Sequence, residues 1–324
     1  MAKKKKSEVE LVEQLLPSDE ELTPVQLFVK DVYSFDGKVE SLALDKYSLG
    51  PWSISKLKLL RKCPFQFYLK YVLKVKLPSD VGGRSDTTSA DVGSAAHLIL
   101  EHIMTGKSTQ EAYALARVEY NTSKLSDELW AERVETLEHS INSFRDRMEA
   151  LGRRNKVRRV FTELRIGVTK DWKPCSFFAK DVYMRGVIDL IIQLDNGVIL
   201  IIDHKTGGGE GSLRPYEDQL NSYKVLFNFG IEKVPAAQSY IHFIQAGEVK
   251  SSYLTESVDI EGKLKDMLEF DIETAIESVE ELGFFKHIRG THCKWCDYDS
   301  MCKPGDFKQL ELGTKKFFKI QAVS

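Results

Sequence analysis

Two aspartates and a lysine sit where packing alone does not explain them. The run Val198 to Ile202 is continuously apolar, as a strand covered on both faces would be, yet it leads into Asp203-His204-Lys205-Thr206-Gly207. The preceding apolar segment carries a second carboxylate in Gly186-Val187-Ile188-Asp189, and Asp195-Asn196-Gly197 links the two. A buried carboxylate is costly unless a cation accompanies it, so the bland reading is an Asp203 to Lys205 pair or exposure at a strand end. Register decides whether more is possible. A two-residue Asn-Gly turn would set Asp189 opposite His204 and send Asp203 to the other face. A three-residue loop with Gly197 left-handed instead sets Leu194 opposite Val198 and Asp189 opposite Asp203, and this is the register we expect. Directly opposed Cβ atoms lie about 4.5 to 5.5 Å apart, close enough for both carboxylates to hold one divalent cation. Lys205, two residues beyond Asp203, shares its face and can reach a phosphate or an attacking water. Such a layout suits phosphodiester hydrolysis, with magnesium polarising the phosphoryl oxygen and acidifying bound water.

The elements that must position these groups follow from periodicity. Val160 to Val168, Tyr183 to Leu194 and Val198 to Asp203 are rich in β-branched residues and bounded by turn signals, which predicts three successive strands. A helix from about Tyr216 to Phe229, a strand from Gln238 to Gln245, an edge strand from Val249 to Leu254 and a helix from Ile260 to Leu282 complete the order. Upstream the chain reads as helical. Ser53 and Ser55 can cap a helix carrying Leu57, Leu59 and Leu60, the pattern restarts at Pro64, and Ser89 to Met104 and Ser108 to Leu151 continue it. The expected fold is α/β, with an αβββαβ core in which helices flank a central mixed sheet.

Composition bounds the class. The 324 residues are 42% hydrophobic and 29% charged, a globular profile able to bury a sizeable core. A net charge of -2 gives no global pull on nucleic acid, so DNA would have to be held by local basic patches. No apolar run approaches the roughly 20 residues of a membrane span, and Lys3 to Lys6 precede acidic residues rather than a signal-peptide core, so no membrane association and an intracellular, cytoplasmic setting are expected. In that setting five cysteines point to metal ligation or buried thiols rather than disulfides. Cys293, Cys296 and Cys302 lie close together, while Cys63 sits far upstream at a helix junction. Four thiolates suit zinc or an iron-sulfur cluster, and spacing alone does not choose. Cys175 falls outside the pattern.

In chain order, Gly93-Ser94-Ala95-Ala96-His97 resembles a GxxxH motif, Glu163 lies on the first strand, Gly186-Val187-Ile188-Asp189 follows, Asp203-His204-Lys205 resembles (D/E)xK, and Gln219-Leu220-Asn221-Ser222-Tyr223 resembles QxxxY. Together these resemble the PD-(D/E)XK superfamily of restriction-endonuclease-like nucleases, and more narrowly its RecB-like branch, which includes recombination nucleases, phage exonucleases and CRISPR-adaptation nucleases. The resemblance spans about Ser53 to Cys302. It implies that His97, Asp189, Asp203 and the backbone carbonyl of His204 hold magnesium or manganese, and that Lys205 is catalytic. Glu163 fits as a further site member or as an ordinary surface charge beside Arg165. Cys63, Cys293, Cys296 and Cys302 resemble the four-cysteine staple of certain RecB-like nucleases, which favours a 4Fe-4S cluster over zinc and makes its first role structural. His292 is a substitute ligand by position. His102 and His139 carry no motif.

Gln219 and Tyr223 share a helix face, where the amide can orient the site and the phenol can touch DNA, unless Tyr223 is simply part of a half-buried face. Between Lys56 and Lys76, lysines and Arg61 alternate with Phe65, Phe67, Tyr68 and Tyr71. Lys56, Arg61 and Lys62 are the candidate phosphate contacts, and the aromatics either stack on bases or pack as core. Arg153 to Arg159 form a second basic group. The domain layout expected is an arm over 1–49, a nuclease domain over 50–310 and a tail over 306–324. Within the nuclease domain, 50–152 is a helical insertion, 153–285 the catalytic sheet and 286–305 the cysteine segment. The functional expectation is a metal-dependent deoxyribonuclease, an exonuclease of recombination, repair or phage DNA metabolism in a bacterial or phage-infected cell. A DNA-binding module, or an accessory subunit working with a helicase or recombination protein, are the rivals. The chain has no GxxxxGK[ST] motor motif of its own.

Overall fold

The structure, a computed structural model, describes residues 49–72, 88–120, 125–207, 213–231, 237–251, 260–282 and 288–299. The expected arm up to Ser48, the C-terminal tail and Cys302 fall outside them. The described chain forms two compact units, one holding 49, 55–72 and 271–299, the other 50–54 and 88–270.

The second unit is built on a six-stranded sheet in the order β2-β1-β3-β4-β5-β6. Its strands are β1 (Val157–Thr169), β2 (Pro174–Cys175), β3 (Val182–Leu194), β4 (Ile199–Lys205), β5 (Ala237–Phe243) and β6 (Glu248–Ser251). β4 and β5 run parallel and the other neighbours antiparallel, so the sheet is mixed. A parallel pair needs a crossover, and α7 (Arg214–Gly230) supplies it, entering on Pro215 in the first turn, where a missing N–H costs nothing. The short β2 is an addition to the expected order. The edge strand β6 ends at Ser251, and the rest of the expected Val249 to Leu254 span lies outside the described residues.

Helices upstream of the sheet are α3 (Thr88–Met104), α4 (Thr109–Glu119), the single turn α5 (Asp127–Leu129) and α6 (Glu138–Arg154), and π and 3-10 turns over Trp130–Leu137 join the last two. They follow α1 (Ile54–Lys62) and α2 (Pro64–Phe67). In α3, Val92, Ala95, Ala96, Ile99, Leu100 and Ile103 recur at three- and four-residue spacing and are buried. With Ile141 and Phe144 of α6 they cover Leu190, Ile192, Leu200 and Ile202 of the sheet. Each Val, Leu, Ile or Phe side chain so removed from water contributes about 1.5 to 3 kcal/mol. Another cluster joins Leu220 of α7 to Ile241 and Phe243 of β5. A final helix, α8 (Ile260–Leu282), follows β6. Among the described residues no helix is long and apolar enough to cross a membrane.

Candidate active site

The β3–β4 hairpin closes as a three-residue loop. Leu194 N–H donates to Val198 O at 2.9 Å, Gly197 N–H to Leu194 O at 3.0 Å, and Gly197 holds the left-handed φ of +85° that a Cβ would resist. Paired residues run from Gln193 with Ile199 to Leu190 with Ile202, so one further step sets Asp189 opposite Asp203. The ladder ends there because Asp189 Oδ2 accepts the His204 N–H at 2.7 Å.

Both Asp203 oxygens are engaged although the residue is 1% exposed. Lys205 Nζ lies 2.7 Å from Oδ2, and Gln219 Nε2 donates to Oδ1 at 3.0 Å and to the Tyr223 hydroxyl oxygen at 2.7 Å. The ion pair expected as the bland reading of Asp203 is thus present, on the strand position that faces Asp189. Glu163 comes in from β1, where it takes φ +47°, and the β1–β3 ladder lapses between Thr162–Leu190 and Leu164–Ile188. A left-handed glutamate inside a strand costs on the order of 1 kcal/mol, and such strain gathers at functional positions. His97 completes the group. Its Nδ1 lies 3.7 Å from Glu163 Oε1 and 3.6 Å from Asp189 Oδ2, and its Nε2 is 3.1 Å from His204 O. One turn earlier on α3, a Cβ on Gly93 would come within 3.1 Å of Thr206 Oγ1, so the glycine lets this turn approach the end of β4.

Electrostatics set what the cluster can hold. Burial, then the facing Asp203 carboxylate, push Asp189 up to about 7. Burial opposes the His97 imidazolium, but the Glu163 hydrogen bond and the charges of Asp189, Glu163 and Asp203 outweigh it and raise its pKa. Ligand atoms of His97, Glu163 and Asp189 lie within 4.8 Å of one another. Three carboxylates and an imidazole served by one ammonium are short of positive charge, and an oxygen-rich donor set with one imidazole fits magnesium or manganese.

A family model matches residues 51–303, a span that includes every member of this cluster, and its description is the PD-(D/E)XK nuclease superfamily. The chain belongs to that superfamily. Metal-dependent phosphodiester hydrolysis is accordingly the chemistry its membership implies, and the mixed sheet flanked by helices is a PD-(D/E)XK core. Among solved structures the chain is similar to a crystal structure of SSO0001, at 14% identity and a TM-score of 0.31, over 83% of this chain and 97% of that one. No curated protein matches.

Other expected site residues of this PD-(D/E)XK chain fall differently. Lys56 is corrected. It is 6% exposed, its ammonium donates to Leu49 O, and it lies 4.9 Å from the Tyr71 ring centroid and 5.6 Å from that of Phe67. A buried ammonium bound to a carbonyl is not presented to phosphate. Phe65 and Phe67 are core, at 7% and 0% exposure. Arg61 reaches Asp271 at 2.5 Å, and Lys62 is exposed. Tyr223 is 6% exposed with its phenol turned to Gln219, so it packs within the site rather than on its surface. Outside the carboxylates, Cys63 is buried at the start of α2, Cys293 and Cys296 lie on a 3-10 turn, and none of these is in a disulfide. Burial raises the Cys296 thiol, and Cys63 and Cys293 are near enough to add to the effect. Gly290 N–H points at Cys293 Sγ at 3.4 Å. Thiols are ligands that both zinc and iron-sulfur clusters take, and these three influence one another electrostatically, although their sulfurs do not close to within 4.8 Å of one another.

One buried pair escaped the sequence reading. His204 Nδ1 lies 2.9 Å from His242 Nδ1, and Phe144 stacks on His242 at 4.1 Å. Parallel pairing of β4 with β5 sets the two histidines side by side, and no local spacing announces it.

Proposed function

We propose that this chain is a DNA nuclease using magnesium or manganese, and that it degrades strands from an end. The observation that carries the proposal is the meeting of His97, Glu163, Asp189, Asp203 and Lys205 at one sheet position. His97, Asp189, Asp203 and the His204 carbonyl would hold the cation, with Glu163 beside them. A cation bound there supplies a Lewis acid for the phosphoryl oxygen and a water of lowered pKa. Lys205, whose side chain is 27% exposed and whose ammonium pairs with Asp203, can neutralise charge building on the phosphate. Gln219 fixes the Asp203 carboxylate, and Tyr223 fixes Gln219. The RecB-like motif set, Gly93 with His97 and Gln219 with Tyr223, supports end-directed degradation. Cys63, Cys293, Cys296 and Cys302 would hold a 4Fe-4S cluster. The unpaired thiols also support a reducing, cytoplasmic setting.

Asp203→Ala should abolish magnesium-dependent cleavage while leaving DNA binding largely intact. If cleavage survives, the site assignment is wrong. End-labelled linear DNA should be digested and covalently closed circular DNA spared, and equal loss of both would refute the end-directed mode. Anaerobic purification with iron, sulfide and zinc analysis distinguishes the cluster from zinc.

A further inference from the structure

Beyond the carboxylates, the sheet edge carries an aromatic side chain in the wrong place for a core. Phe178, just after β2, is 71% exposed, yet the loop beneath it is tightly built. Phe178 N–H donates to Ser176 Oγ at 3.4 Å and Ala179 N–H to Ser176 O at 2.9 Å. Across the strand gap, Gly167 of β1 leaves no room for a Cβ, which would meet Ser176 O at 3.1 Å and Phe177 Cα at 3.2 Å. Arg185 Nη1 clamps the Phe177 carbonyl at 3.2 Å. The loop is thus seated directly on β1.

The surroundings of the ring are cationic. Phe177 meets Phe178 edge-on with centroids 5.0 Å apart, Arg165 lies 5.9 Å from the Phe178 centroid, and Arg185 lies 4.7 Å from that of Phe177. Between positions 165 and 185 the chain holds Arg165, Lys170, Lys173, Lys180 and Arg185 against Asp171 and Asp181. Arg165 stands two residues from Glu163 along β1, roughly 7 Å of strand. An exposed aromatic on a hydrogen-bonded loop among arginines is the arrangement that stacks an unpaired base while its phosphates meet the guanidinium groups.

We infer that Phe178, backed by Phe177 and flanked by Arg165 and Arg185, is a stacking platform for one unpaired nucleobase of a strand whose backbone runs past Glu163 to the carboxylates. This rests on the nuclease reading and deepens it by naming single-stranded DNA as the form of substrate held beside the site. Because the loop backbone is already hydrogen-bonded in place, little loop ordering is needed on stacking.

The test uses the full chain, with calcium in place of magnesium, and single-stranded oligonucleotides in which one abasic position is moved along the strand. The wild-type protein should bind about 5- to 100-fold more weakly when the abasic site falls at one particular position. Phe178→Ala should bind the intact strand weaker by a similar factor and become insensitive to the abasic position, and Phe178→Trp should restore both properties. Thermal unfolding of both variants should match the wild type, since the ring is exposed. If Phe178→Ala binds and scans like the wild type, the platform is refuted. Cleavage of the intact strand by the wild-type protein in magnesium is the companion measurement. Cleavage with no Phe178 effect overturns only the platform, whereas absence of cleavage and of binding overturns the nuclease reading and the platform with it.

Discussion

At the scale of single residues, the site is a problem in holding negative charge. Gln219 donates to both Asp203 and Tyr223, so its amide fixes the carboxylate. Removing such an outer partner ordinarily costs about 10- to 100-fold in metal affinity or activity. Gln219→Ala should therefore raise the magnesium concentration needed for half-maximal cleavage by about that factor, with Tyr223→Phe milder, as a magnesium titration of initial rates will show. Asp189 sets the pH dependence. Its pKa, raised to about 7 by burial and by Asp203, means that the metal-free fold keeps a proton the unfolded chain would release. Metal-free stability accordingly falls as pH rises through the interval between the usual carboxylate value and 7. A cation must displace the proton, so magnesium affinity should climb by up to about tenfold per pH unit below 7. Calorimetry at pH 6 in buffers of different ionisation heat should register more than one released proton, because His97, whose imidazole is also raised, must lose its own proton to bind the cation, and affinity that is level from pH 6 to 8 would contradict the assignment. Asp189, Asp203 and Lys205 were legible as a group on one face because Gly197 can take the left-handed place of a three-residue loop, the one of two possible closures that sets the carboxylates opposite each other. Glu163 was only half legible, since a strand glutamate two residues from Arg165 reads equally well as an ordinary surface charge, and its left-handed backbone has no signature in the sequence. Lys56 was misread because the Leu49 carbonyl that captures its ammonium follows no spacing rule.

The secondary elements carry constraints of another kind, in which helices approach the sheet through glycines and strands set histidines side by side. A Cβ on Gly230 of α7 would stand 2.3 Å from Ile166 Cγ2, and the β-branched Ile166 has little freedom to turn away. Gly230→Ala should thus cost about 1 to 3 kcal/mol, read as a lower urea midpoint at unchanged slope. Between β4 and β5, burial, followed by the charges of Arg147 and His97, depresses His242 to about 3, and burial, then His242, holds His204 well below its usual value. A depressed imidazole leaves the folded state without a proton that the unfolded state binds, so its contribution is intact above about pH 6.5 and is lost as pH falls toward the folded value. Each such histidine removes up to about 1.4 kcal/mol per pH unit. His242→Phe should begin about 1 to 3 kcal/mol less stable, because His204 Nδ1 loses its partner. It should nevertheless lose less on acidification from pH 6.5 to 5, and urea titrations at both pH values measure the difference. A variant with the wild-type slope would show that His242 does not carry the acid sensitivity. Long strands and helices were readable from periodicity, but β2 is two residues long and leaves no pattern, and the histidine pair exists only through a parallel pairing across a crossover.

Over the whole molecule, the cysteines lie on either side of a long excursion of the chain. Cys63 precedes it and Cys293 and Cys296 follow it, and all three belong to the unit that holds 55–72 and 271–299, while the carboxylates belong to the other. Bringing positions so distant together costs closure entropy that grows with the logarithm of the intervening length. A cluster binding all four thiolates would offset that cost, and its binding free energy would count directly toward folding. Metal chemistry at the carboxylates and cluster chemistry at the cysteines would then be separable, because no ligand is shared. Cys63→Ser should therefore lower iron and sulfide content and bring the thermal transition down by several degrees, yet leave magnesium affinity at the carboxylates within about twofold, since surrounding contacts there are unaltered. Asp203→Ala should do the reverse, keeping the iron and losing cleavage. The decisive measurement is iron content, melting temperature and magnesium calorimetry on both variants purified anaerobically. Loss of magnesium binding in Cys63→Ser would show that the cysteines organise the carboxylate site itself. Unchanged iron, or zinc in its place, would remove Cys63 from the cluster or replace the cluster altogether.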